Sequence, residues 1–259
     1  MGTIITYDSD NVGKVTKLGI TSMDHSNRAY EPQTQNTFTF QFLFDPGQVA
    51  YIATSANRNK NFINGGNDDF EIPVTNYAEG LAKINSILNS SMQSISSPTK
   101  NIAQIVIDYF NTQVKFAGKP TYSNANITLN TLIGLGSKNI LSAWSDICLN
   151  DNTLAGGWAR SLKDTVNGNI PQPDGLDAES YMNKLFPLIG YKCDGILLEC
   201  ARDGTIVNQW DYIGMWLSSF TPGSYTMAGA NSPSQVSGTI TVDLIRQSTS
   251  SYVKKVVTY

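Results

Sequence analysis

From Asn36 to Phe44 the chain alternates strictly, placing Phe38, Phe40, Phe42 and Phe44 on one parity and Thr37, Thr39, Gln41 and Leu43 on the other. Period two with aromatics on one side predicts a half-buried strand. Asp45-Pro46-Gly47-Gln48 then has turn chemistry, and Val49 to Thr54 reads as the returning strand of a hairpin. Upstream, residues 1–35 show little periodicity and run through Pro32, which disfavours helix, so they read as an N-terminal arm.

Downstream the period changes. Leu81, Ile84, Leu88, Met92 and Ile95 recur at helical spacing, predicting an amphipathic helix within Asn76 to Ile95, stopped by Ser96-Ser97-Pro98. With the Asn- and Gly-rich run Asn57 to Asp69, this makes residues 57–100 an expected insertion against the outside of a β-rich body. From Ile102 to Phe116 the pattern is strand-like but slips phase: Ile105, Ile107 and Tyr109 share one parity, Val114 and Phe116 the other. One extra residue near Phe110-Asn111 accounts for the slip, so a bulge and bend are expected there, with a turn at Ala117-Gly118-Lys119-Pro120.

The next strand sets Ala125, Ile127 and Leu129 against Asn124, Asn126, Thr128 and Asn130, one face apolar and the other neutral and polar. Gly134-Leu135-Gly136 breaks it, and Ser137 is positioned to cap a short helix whose Ile140, Trp144, Ile147 and Cys148 fall on one side. Residues 150–193 form a second expected insertion, mostly loop, with Asp177 capping a helix that runs to Phe186. Strands return at Gly195 to Arg202 and Thr205 to Leu217 around the Asp203-Gly204 turn, and at Ile240, Val242 and Leu244 before a polar tail over 249–259. The expected fold is mainly β with a few helices (α+β), in a single domain spanning residues 1–259.

Composition narrows what this body does. Charged residues make up 15% of the 259, with 18 Lys+Arg against 21 Asp+Glu for a net charge of -3, while asparagine alone occurs two dozen times. Without a basic excess, tight sequence-independent binding to nucleic acid is not expected. No apolar run approaches the ~20 residues of a membrane-spanning helix, and the first residues, Met1-Gly2-Thr3-Ile4-Ile5, lack the pattern of a signal segment. Cys148, Cys193 and Cys200 are too few for a disulfide framework and read as reduced thiols; whether they bridge subunits stays open at this stage. The single histidine, His25, sits in a polar stretch and reads as an exposed bystander, which leaves no multi-histidine metal site.

No catalytic constellation emerges. Ser97-Pro98-Thr99-Lys100 has serine–lysine spacing but no companion motif. Asp8-Ser9-Asp10-Asn11-Val12-Gly13 begins like a calcium loop, yet Val12 takes a ligand position and Gly19 stands where Glu is required. Glu199, Asp203, Asp211 and Asp243 could supply a glycosidase pair but read as strand-end charges. Trp158, Trp210 and Trp216 fit a core or a subunit seam, or else the stacking platform of a carbohydrate-binding module. No catalytic residue, metal or cofactor is expected.

Two stretches carry a likeness. Tyr109 to Tyr122 (YFNTQVKFAGKPTY), followed by Asn126-Ile127-Thr128-Leu129 and the helix ending Ala143-Trp144-Ser145-Asp146-Ile147, resembles the central hairpin and helix of tail tube proteins from contractile-tailed bacteriophages. Ala201-Arg202-Asp203-Gly204-Thr205-Ile206-Val207, Tyr212-Ile213-Gly214-Met215-Trp216 and Val236 to Asp243 resemble that family's closing strands, and Ala29 to Phe44 its first strand. The likeness covers about half the chain in order; residues 57–100 and 151–192 exceed the family plan. It implies a tail-tube-like β-barrel or sandwich subunit of the virion. It further implies that six copies close a ring, that rings stack into a tube beside sheath and baseplate proteins, and that DNA passes without tight binding after assembly in the host cytoplasm. A baseplate tube initiator shares this fold.

On that resemblance, Phe38, Phe40, Phe42, Trp210, Trp216 and Val242 are expected in strands between subunits. Asn124, Asn126, Thr128 and Asn130 are expected to face the bore, and Asn64, Gly65, Gly66 and Asn67 to contact neighbouring rings.

Overall fold

A computed structural model describes residues 3–5, 15–17, 38–58, 71–131, 136–149, 156–163, 167–173, 175–200, 206–223 and 234–248. The chain divides into two compact units, Met1–Phe38 with Glu199–Val207, and Thr39–Leu198 with Asn208–Tyr259. In the first, β1 (Thr3–Ile5) and β2 (Val15–Lys17) pair antiparallel, Thr3 opposite Lys17. The expected arm is otherwise outside the described residues, as are His25 and Asn64 to Asn67.

The second unit is mainly β with helices, as the sequence predicts. In chain order the remaining elements are β3 (Phe38–Leu43), α1 (Pro46–Arg58), α2 (Tyr77–Ser91), β4 (Met92–Ile95), β5 (Lys100–Tyr109), β6 (Thr112–Tyr122), β7 (Ala125–Asn130) and α3 (Ser137–Cys148). They continue with α4 (Ala178–Leu185), β8 (Cys193–Cys200), β9 (Ile206–Thr221), β10 (Gln235–Thr241) and β11 (Leu244–Gln247). One sheet runs β3-β8-β9-β10-β7-β4, with β11 also on β9; β5 and β6 form a separate two-stranded sheet.

The phenylalanine parity makes the core. Phe40, Phe42 and Phe44 are fully buried, Phe42 and Phe44 stack at 5.6 Å, and both meet the ring of Trp144 on α3 edge-on at 5.7 and 5.4 Å. Phe40 meets Tyr212 of β9 at 5.3 Å. Gly195 on β8 allows this approach, because a Cβ there would stand 2.6 Å from Met215 and 2.7 Å from Phe40. Ala125, Ile127 and Leu129 of β7 and Val236 and Ile240 of β10 close the interior, as alternation requires.

Several expectations are corrected. Val49 to Thr54 is no returning strand but part of α1, and no hairpin joins it to β3. Asp45 and Gln48 form a capping box: Asp45 Oδ1 accepts from the Gln48 N–H, and Gln48 Oε1 from the Asp45 N–H, both at 2.9 Å. Pro46 in the first turn lacks the N–H that would go unpaired there. The helix at Tyr77 begins at an Asn76 cap but ends at Ser91, after which Met92 to Ile95 are strand. It is no outer layer either: Ile84, Ile87 and Leu88 are buried, and α1 packs against α2, α3 and α4.

Phe110-Asn111 is a tight reversal rather than a bulge, because β5 pairs with β6 across it and Tyr109 faces Thr112. The phase slip came from folding one strand back on the next. The irregularity lies at Ile102/Gln104, and Ala117 to Pro120 continues β6 without turning. Gly136, in the left-handed conformation at φ 62°, caps α3 in place of Ser137. Asp177 does cap α4, accepting from the Ser180 N–H at 3.0 Å.

Candidate assembly surface

The β5–β6 hairpin is the most exposed element described. Every residue of β5 is exposed, and so is every residue of β6 except the half-buried Gly118 and Tyr122. At ~3.4 Å per residue, ten-residue β5 is about 34 Å long. Beyond the irregularity its faces separate cleanly. Ile105 opposite Phe116, Ile107 opposite Val114 and Tyr109 opposite Thr112 make one face; Gln104 opposite Ala117, Val106 opposite Lys115 and Asp108 opposite Gln113 make the other. The apolar side chains of the first face are exposed by 39% (Val114) to 63% (Tyr109). A two-stranded ribbon is marginal alone in water, and an apolar face needs a covering layer.

Its tip is aromatic and strained. Phe110 is 90% exposed at φ 52°, a conformation that bulky side chains rarely adopt. Its ring stands edge-on to Tyr109 at 4.8 Å, and the Thr112 hydroxyl donates to the Tyr109 carbonyl at 3.0 Å.

A second surface lies on the sheet. Opposite the buried β7 positions, Asn126 pairs with Thr239 of β10, Thr128 with Ser237 and Asn130 with Gln235. Thr239 and Ser237 pair in turn with Ser219 and Thr221 of β9, and Ser94 of β4 pairs with Thr128. Side chains stitch this face together: Thr239 and Thr241 hydroxyls donate to Asn126 and Asn124 Oδ1, each at 3.3 Å. Asn124 and Asn126 are exposed, Thr128 and Asn130 half-buried, and none of these residues carries a charge. The polar parity expected from β7 alone therefore extends across neighbouring strands. The β9 and β10 contributions were hidden in separate sequence segments.

The residues expected between subunits differ in burial. Phe40 and Phe42 are fully buried within this chain, and Val242 is 6% exposed. Phe38, Trp210 and Trp216 are half-buried, the last against Tyr191 at 5.7 Å. The closing strands β8, β9 and β10 lie inside the sheet, each with neighbours on both sides. The outer side of β3 is also occupied. Asn85 Oδ1 accepts from the Phe42 N–H at 2.7 Å while its Nδ2 donates to the Phe42 carbonyl at 3.0 Å. Asn89 does the same for Phe40, at 3.0 and 2.8 Å.

Two of the candidate carboxylates form ion pairs, while Asp203 and Asp8 to Gly13 lie outside the described residues. Asp211 pairs with Arg246 at 3.1 Å and Asp243 with Lys192 at 2.6 Å. Asp45, hydrogen-bonded by the Ser161 hydroxyl, is pushed up by burial, against the pull of Ser161 and the Gln48 and Gly47 N–H groups. The three cysteines are free thiols; burial raises Cys148 to about 11, Cys193 well above the usual thiol range, and Cys200 as well. Trp158 is 65% exposed. Among the described residues no cluster of His, Cys, Asp and Glu could hold a metal, and no helix is long and apolar enough to cross a membrane.

No family profile and no curated sequence matches the chain. Solved structures are similar to it. One is the PVC sheath–tube complex of an extracellular contractile injection system in the extended state, at TM-score 0.42 and 13% identity over 88% of this chain and 98% of that one. Another is the anti-feeding prophage cap, described as the AFP tube terminating cap, at TM-score 0.39 and 16% identity over 61% and 80%. A third is Hcp1 from Flavobacterium johnsoniae, at TM-score 0.29 and 11% identity over 60% and 84%. These are partial likenesses of backbone course, and the functional reading rests on the surfaces above.

Proposed function

We propose that this chain is a non-enzymatic tube subunit: six copies close a ring, rings stack into a contractile-type tail tube, and DNA passes through the bore on ejection. The observation that carries the reading is the β5–β6 hairpin, whose apolar face of Ile105, Ile107, Tyr109, Val114 and Phe116 is exposed in the single chain. Contact between that face and a different surface of the next copy is heterologous, and heterologous contacts close into rings or run on as filaments.

The charge-free sheet face supports the same reading. A lining without lysine or arginine offers DNA no phosphate contacts to slow it. Asn124, Asn126, Thr128 and Asn130 face the bore in this proposal, joined by Ser219, Thr221, Gln235, Ser237 and Thr239. The chain works as a virion tail component assembled in the host cytoplasm, with sheath and baseplate proteins as outer partners.

Electron microscopy of the purified protein tests this. Stacked hollow rings are expected. Single rings that never stack make the chain a baseplate initiator instead, and monomers that bind sugars make it a carbohydrate-binding module.

A further inference from the structure

We propose that α2 is an edge guard: the Asn85 and Asn89 amides fill the outward hydrogen-bonding groups of β3 and so bar a second copy of this chain from adding a strand there. The site is a sheet edge, because β3 ends the strand order. In a strand, alternate residues turn both their N–H and C=O to the same side. Phe40 and Phe42 turn theirs toward α2, and each meets an amide that supplies one acceptor and one donor, at distances from 2.7 to 3.0 Å. Asn85 and Asn89 stand four apart, one helical turn, so consecutive amides meet alternate strand residues. Each Nδ2 also donates one turn back along the helix, Asn85 to Leu81 O at 3.1 Å and Asn89 to Asn85 O at 2.9 Å, which fixes its orientation.

The sequence of β3 explains why a guard is needed. Phe38-Thr39-Phe40-Gln41-Phe42-Leu43 has high strand propensity, no charge, no proline and no glycine. A segment of that kind on an open edge is a template for pairing with its own copies. Edges are commonly blunted by lysine or proline, but β3 carries neither. Its protection comes from a helix that enters the chain more than thirty residues later. The partner excluded is a second copy presenting this same strand.

Hydrogen exchange and light scattering on the isolated protein test the proposal, whether or not wild-type rings form. Asn85→Ser should accelerate exchange at the Phe42 amide and Asn89→Ser at the Phe40 amide, each about tenfold or more. N85A/N89A should form oligomers or thioflavin-positive fibres at concentrations where wild-type protein forms none, and adding Gln41→Lys should suppress them. Fast exchange at both amides with an unchanged association state would overturn the guard, as would exchange that stays slow in both single variants. Should the double variant not fold, the single serine variants carry the association test as well. Absence of rings in the wild type would count against the tube reading and leave this one standing.

Discussion

Asp45 and Gln48 cap each other across the first turn of α1, and the buried Gln48 amide also donates to the carbonyls of Gly190 at 2.6 Å and Lys192 at 3.1 Å. One side chain thus starts a helix and anchors a segment more than a hundred residues away. Gln48→Ala removes the reciprocal cap and leaves two acceptors short of a partner, so it should cost about 2–4 kcal/mol. Urea titration measures this; a change below about 0.5 kcal/mol would show that solvent or relaxation replaces the lost bonds.

The hairpin separates stability from assembly. Ile107→Asp and Phe116→Asp place charge on a face that is exposed in the single chain, so monomer stability should change by no more than about 0.5 kcal/mol. Ring formation should be lost in both. Rings that persist in either variant would move the self-association surface elsewhere.

Phe110 gives a test with opposite signs. Glycine adopts a φ of 52° without the left-handed penalty, so Phe110→Gly should relieve about 1 kcal/mol of backbone strain. The same change removes the exposed tip aromatic and should weaken self-association. Thermal melts and sedimentation read the two effects on one sample, and an association constant unaffected by Phe110→Gly removes the tip from the contact.

The charge-free sheet face makes a prediction about nucleic acid. Asn126→Lys with Thr239→Lys should leave the fold intact and create salt-dependent retention of an oligonucleotide that the wild type does not retain. Assembled wild-type particles should release DNA readily at low salt. Tight wild-type binding to the same oligonucleotide would contradict a passive lining.

Cys148 supplies a pH dependence. Its thiol, raised from 9.0 to about 11 by burial, is held neutral in the fold. Because the folded value lies above the unfolded one, the associated stability is present below pH 9 and lost as pH rises toward 11, by about 2–3 kcal/mol. Cys148→Ala should show a shallower loss than the wild type across that window in denaturant titrations at stepped pH. Identical slopes would mean that the thiol gains its charge without resistance.

What the sequence disclosed depended on whether the deciding contact was local. The strand of alternating phenylalanines, the β7 alternation and the Asp177 cap were legible because neighbours three or fewer residues apart determine them. Asp45-Pro46-Gly47-Gln48 was ambiguous, since the same residues open a turn or cap a helix, and only burial of Val49 to Ala53 decides for the helix. The parity change around Phe110 was real, but a reversal and a bulge both produce it. Asn85 and Asn89 sat unremarked on the polar side of a helix, their partners 43 and 49 residues away. The sheet's neutral face was visible only where one strand carried it.

A ribbon about 34 Å long, wearing its greasy side outward, would set a threshold if the proposed assembly holds. Scarce copies would then stay solitary with wet isoleucines, and abundant ones would dry one another on encounter. Assembly of that kind would answer to the amount of protein made more than to any triggering ligand.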